Sequence, residues 1–146
     1  MRFIILIKAS ARFEAGIGPA RQQAADFEAY NRQMKEAGVL REAATLLPSA
    51  GGLRLTYPEA GGPPAVTHGP FGRADSQGQV AGYMLLDADS EEEAYAWASR
   101  MPDPYGFGEG GIELRRLSET AVAPASSSLR PMEADLFEQL AALKKQ

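Results

Sequence analysis

Five consecutive apolar residues, Phe3–Ile7, stand between Arg2 and Lys8, and three of them are isoleucine. A short β-branched run with no polar alternation is the pattern of a strand buried on both faces. Val80–Leu86, "VAGYMLL", is a second run of the same kind. Any sheet that contains both strands must be covered on both sides. The first run also sits in "MRFIILIKASA", which has the basic residue and small-residue ending of a leader. Its apolar part falls short of the roughly 7–15 residues such a leader needs. A strand is the better reading. No stretch approaches the roughly 20 apolar residues that cross a bilayer. No membrane partner is expected, and a cytoplasmic location is the default expectation.

Between the two runs, residues 12–18 are expected to form a loop. Gly18-Pro19 then opens a helix with proline at its first position, where no N–H is needed. Ala24, Phe27, Tyr30 and Met34 recur on one helical face, and Gly38 ends the helix. Val39–Leu47 reads as a strand stopped by Pro48, followed by a turn at "SAGG". Leu53–Tyr57 and Ala65–Thr67 read as a small hairpin across "PEAGGPP". After Val80–Leu86, Ser90 and Glu93 form a capping box. The helix it starts carries Ala94, Trp97, Ala98 and Met101 on one face and stops at Pro102. "DPYGFGEGG" is a loop, and Ile112–Leu117 is the last sheet strand.

The order is β-α-β, a hairpin, then β-α-β. Two such units give an α+β, ferredoxin-like antiparallel sheet with both helices on one face. The other face of the doubly apolar strands then needs its own cover. A second copy supplies it in a homodimer, a dimeric α+β barrel with two sheets face to face. The alternative is cover by the C-terminal helix within one chain. Composition shifts near residue 118, which divides the chain into a domain over 1–118 and a tail over 119–146. In the tail, "SETAVAPASSS" is linker-like and Pro131 opens an amphipathic helix with Met132, Leu136, Leu140 and Leu143 as its stripe. That helix docks on its own domain, on a second subunit or on a protein partner.

Composition narrows the chemistry. The chain has 146 residues, a net charge of −4, no cysteine and one histidine. Clustered Lys and Arg are missing, so nucleic acid is not an expected partner. Thiolate metal sites, a cysteine nucleophile and a multi-histidine site within one chain are excluded. No EF-hand spacing occurs, and "GFGEGG" lacks the Lys-Ser/Thr of a phosphate loop, so neither metal nor cofactor is expected.

His68 precedes Gly69-Pro70-Phe71 at the end of the hairpin. An imidazole there can act as general acid or base near neutral pH, or it can simply cap the turn. Asp75, Asp103 and Glu113 are the carboxylates that can orient it, Asp103 being the one better read as a loop residue. Glu113 alternates with Arg115 on the last strand, where the two can line a cleft or form a cross-strand ion pair. Lys8, Arg41 and Arg54 can meet an anion or stay solvated. The site residues singled out are His68, Glu113 and Asp75 for catalysis. Lys8, Arg115, Gly69 and Phe71 are singled out for ligand binding.

"HGPF" (68–71) resembles the "DGPF" signature of YCII-related proteins. The similarity extends in order through "MRFIILIKA", "AGVLREAATLLPSAGGLRLTY", "AGYMLLDADSEEEAYAWASRMP" and "IELRRL", covering roughly residues 1–118. The resemblance implies a dimeric α+β barrel with a cleft in each subunit and, in some members, a His–Asp pair as active site. Here His68 stands where the signature has Asp, and Ala44 stands where relatives often carry a carboxylate, with Glu42 two residues away. Two functions follow. One is a small-ligand-binding or regulatory module. The other is a cofactor-independent enzyme with His68 as general acid or base on a small anionic substrate.

Overall fold

The structure is a computed structural model that describes residues 1–71 and 79–118. The main elements are β1 (Arg2–Lys8), α1 (Ala11–Glu14), α2 (Arg21–Glu36), β2 (Leu40–Thr45), β3 (Leu53–Thr56), β4 (Ala65–His68), β5 (Val80–Asp87), α3 (Glu91–Ser99) and β6 (Ile112–Arg116). A single 3₁₀ turn, Ser49–Gly51, precedes β3. Asp75 and the expected tail helix lie outside the described residues.

The four-stranded sheet has the order β2-β5-β1-β6, and its strand pairs are antiparallel. That is an α+β arrangement with ferredoxin-like strand order. β3 and β4 pair separately as a two-stranded sheet, so the hairpin is an insertion between the second and third principal strands.

Alternation along the strands puts Phe3 and Ile5 of β1 and Met84 and Leu86 of β5 on one face. There they pack with Tyr30 and Met34 of α2 and with Ala94 and Ala98 of α3. Both principal helices therefore cover the same side. Phe3, Ile5, Met34, Met84 and Leu86 are fully buried, each contributing roughly 1.5–3 kcal/mol relative to exposure. Tyr30 adds a polar tie, donating from its hydroxyl to the Trp97 carbonyl oxygen at 2.5 Å. Burial raises its pKa to about 12, partly offset by Arg100.

The opposite face carries Ile4, Leu6, Tyr83 and Leu85, all half-buried. Ionic groups border it: Lys8 lies 3.6 Å from Glu113, and Asp87 lies 3.4 Å from Arg2 and 3.0 Å from Arg41. Tyr83, on that face, has its pKa raised by the neighbouring Glu42 carboxylate and by burial.

Several boundaries differ from the sequence reading. The expected loop over 12–18 is overlapped by α1, because the Ser10 hydroxyl accepts from the Phe13 N–H at 3.1 Å and caps a helical turn. The helix expected from Pro19 begins at Arg21: Ala20 stays extended and donates its N–H to the Tyr105 carbonyl oxygen at 3.0 Å. β2 ends at Thr45 rather than Leu47, although Leu46 N–H still reaches the Ala81 carbonyl oxygen at 2.7 Å. β6 ends at Arg116 rather than Leu117. At α3, the Ser90 hydroxyl accepts from Glu93 N–H at 3.1 Å as expected, but the Glu93 carboxylate accepts from Asp89 N–H at 2.8 Å. Gly38 ends α2 with φ 74, the left-handed conformation glycine adopts without cost.

Candidate functional site

His68 closes β4 opposite Leu53, and its side chain is exposed along with the rest of that strand. Among the described residues no carboxylate pairs with it. The turn that follows is more firmly held than the histidine. Gly69 donates its N–H to the Gly52 carbonyl oxygen at 3.0 Å, and the Gly69-Pro70 peptide is cis. A Cβ at Gly69 would lie 1.6 Å from the Ser49 carbonyl oxygen, so only glycine permits this approach. Phe71 N–H donates to the Ser49 hydroxyl at 3.2 Å, and the Arg54 guanidinium stacks 4.2 Å from the Phe71 ring centre. Ser49 N–H in turn donates to the Glu14 carboxylate at 2.7 Å. The signature turn is thus tied, through the 3₁₀ turn, to the end of α1.

Two cavities flank that tie. The first, about 400 Å³, lies where β1, β2 and β5 meet the start of α2, and its wall includes Ile7, Phe13, Ile17, Ala24, Phe27 and Tyr105. Among the described residues no charged side chain lines it. The second, about 520 Å³, is walled by Glu14, Ser49, Arg54, Phe71 and Gln79 together with leucines. Phe13 and Pro48 border both cavities.

Tyr105 shapes the first cavity. Its hydroxyl donates to the Lys8 carbonyl oxygen at 2.6 Å, and its ring lies 6.3 Å from that of Phe13, with Ala9 and Ala81 packed alongside. Burial raises its pKa to about 12, with further contributions from the negative charges of Asp103 and Glu14. The loop that presents it is built on Asp103, whose carboxylate accepts from the N–H groups of Tyr105 and Gly108 at 3.1 Å each. Those backbone donors, Tyr105 first, hold the Asp103 pKa below its ordinary value against a smaller opposing effect of burial. The same loop is clasped to α1, since Arg12 stacks 4.2 Å from the Phe107 ring centre and lies 3.6 Å from Glu109.

The residues singled out from sequence fall in separate places. Phe71 lines the second cavity, and Gly69 is held to Gly52, which lines it too. Lys8 and Glu113 form their ion pair on the sheet, and Arg115 sits on β6 opposite Ile4. His68 stands at the exposed hairpin, and Asp75 is outside the described residues. Phe13, Glu14, Ser49 and Tyr105 were not singled out. The serine cap at Ser10, three residues before Phe13, is the local signal by which α1 could have been found.

Strand order and cavity together define a ferredoxin-like α+β domain with an apolar pocket at one end of its main sheet. The chain belongs to the YCII-related domain family, whose family model matches residues 1–120. No curated protein matches the sequence.

Proposed function

We propose that this YCII-related protein is a small-ligand-binding module whose ligand occupies the apolar cavity beneath Phe13 and Tyr105. The observation that carries the reading is the cavity itself: about 400 Å³, bordered by apolar and aromatic side chains. This is the size and lining of small-molecule sites, which are concave and mostly apolar. The enzyme reading has less support. A general base acts with an orienting partner and a place for substrate, whereas His68 is exposed and does not line either cavity among the described residues.

The test is a thermal-shift titration of the full chain with 4-phenylbutanol, a neutral arylalkyl probe. A ligand that binds only the folded state raises the midpoint with concentration. Ala24 is exposed on α2 and borders the cavity, so Ala24→Phe fills the site without opening the core. The expected result is a concentration-dependent rise in the wild type that Ala24→Phe removes while its circular dichroism stays unchanged. No rise in the wild type, or an equal rise in the variant, overturns the reading.

The face of the sheet opposite α2 and α3 supports a second element of the proposal, a homodimer. Ile4, Leu6, Tyr83 and Leu85 form a half-buried strip bordered by ion pairs, the apolar centre and polar rim of a typical interface. Light scattering is expected to return twice the chain mass of 15.6 kDa, and Leu6→Lys is expected to return the single mass. A wild-type mass of one chain contradicts it.

A further inference from the structure

Glu14 is the one carboxylate that borders either of the two cavities among the described residues. It follows Phe13, which both cavities share. One of its oxygens accepts the Ser49 N–H at 2.7 Å, which fixes the group in place and leaves the other oxygen with acceptor capacity. Among the described residues no Lys or Arg forms an ion pair with it. Neighbouring carboxylates are differently employed: Asp103 accepts loop N–H groups, Glu109 faces Arg12, and Glu113 faces Lys8. Arg54, the cation of the second cavity, stacks on Phe71.

The field of Glu14 reaches the apolar cavity, since it contributes to the upward shift of Tyr105. The Phe13 and Tyr105 rings, 6.3 Å apart, add π faces that attract a cation. An apolar pocket without charge, walled by two aromatic rings, thus shares Phe13 and Pro48 with a neighbouring cavity whose wall holds a fixed, half-buried anion.

We infer that the ligand is an amphiphilic amine, with its apolar body in the cavity beneath Phe13 and Tyr105 and its ammonium group against the Glu14 carboxylate. This rests on the ligand-binding reading above and adds the charge of the ligand. The sign is opposite to the anionic ligand expected from Lys8, which pairs with Glu113, and from Arg115 on β6, neither of which lines either of the two cavities.

The experiment is calorimetric titration of the full chain with 4-phenylbutylamine, 4-phenylbutanol and 4-phenylbutyrate, repeated with Glu14→Gln. Glutamine keeps a carbonyl oxygen for the Ser49 N–H, so the tie to the 3₁₀ turn survives. The wild type is expected to bind the amine about tenfold more tightly than the alcohol, the scale of one hydrogen bond to a charged group, and the carboxylate least tightly. Glu14→Gln is expected to bring the amine to the affinity of the alcohol and leave the alcohol unchanged. Added salt is expected to reduce the amine preference in the wild type alone. An amine that binds no better than the alcohol overturns the inference, as does an equal loss for both in Glu14→Gln or a carboxylate as tight as the amine. In those cases alcohol binding that Ala24→Phe abolishes leaves the pocket reading standing. Absence of alcohol binding to the wild type overturns both.

Discussion

The main sheet and the β3–β4 hairpin are stabilised in different ways. In β1 and β5, Phe3, Ile5, Met84 and Leu86 are wholly shielded by two helices. In the hairpin, Leu53, Leu55 and Val66 are all exposed, and Leu55 retains 47% of its accessible surface. The hairpin therefore gains little from burial. It relies on the ladder between β3 and β4 and on the tether from Gly69 and Phe71 to Gly52 and Ser49. Isolated two-stranded hairpins are marginal in water, so the tether matters more to the hairpin than any one of its side chains. His68 belongs to this lightly held region, whereas the apolar cavity belongs to the edge of the well-packed one.

The sharpest way to break the comparison is at the core. Leu86→Ala is expected to lower unfolding free energy by about 2–5 kcal/mol in urea denaturation, whereas Leu55→Ala is expected to change it by less than about 0.5 kcal/mol. Equal losses would mean that the hairpin is packed against a surface after all. Next in size is the tether. Gly69→Ala sets a methyl group against the Ser49 carbonyl oxygen and is expected to cost about 1–3 kcal/mol, with the amide resonances of Ser49 and Phe71 displaced. Gly51→Ala, which meets nothing within 4 Å, is the matched control and is expected to be nearly neutral. Losing the α3 cap in Ser90→Ala is expected to cost about 1 kcal/mol.

A further contrast is in pH dependence. The Tyr105 pKa is raised from 10.0 to about 12 in the fold. Between those values the unfolded chain binds fewer protons than the folded one, so stability is fully present below pH 10 and falls as pH rises toward 12. Denaturation at stepped pH is expected to show that decline, and Tyr105→Phe is expected to reduce but not abolish it, because Tyr30 is raised in the same direction. A decline of unchanged steepness in the variant would show that Tyr105 does not contribute.

Parts of this architecture can be read from sequence because the cause is local. The doubly apolar runs at Phe3–Ile7 and Val80–Leu86 give β1 and β5, and the Ser90 cap gives the start of α3. Gly38 marks the end of α2 because its φ of 74 suits glycine. Other parts depend on distant partners. α1 is four residues long, too short to show a helical period. The start of α2 depends on a bond from Ala20 to Tyr105, and the end of β2 depends on where Pro48 turns the chain. The cavity assembles Phe13, Pro48 and Tyr105 from three separate loops and ends, and nothing in their spacing announces it. The lone His68 is conspicuous in composition, yet that says nothing about whether a cavity forms beside it.

Methyl and aromatic NMR spectra of the full chain, recorded during titration with 4-phenylbutanol, place the ligand directly. The account expects saturable shifts at Ile7, Ile17, Ala24 and Tyr105 around the apolar cavity, with Leu55, Val66 and His68 of the hairpin unmoved. Shifts centred on the hairpin, or none at Ile7 and Ile17, would contradict it.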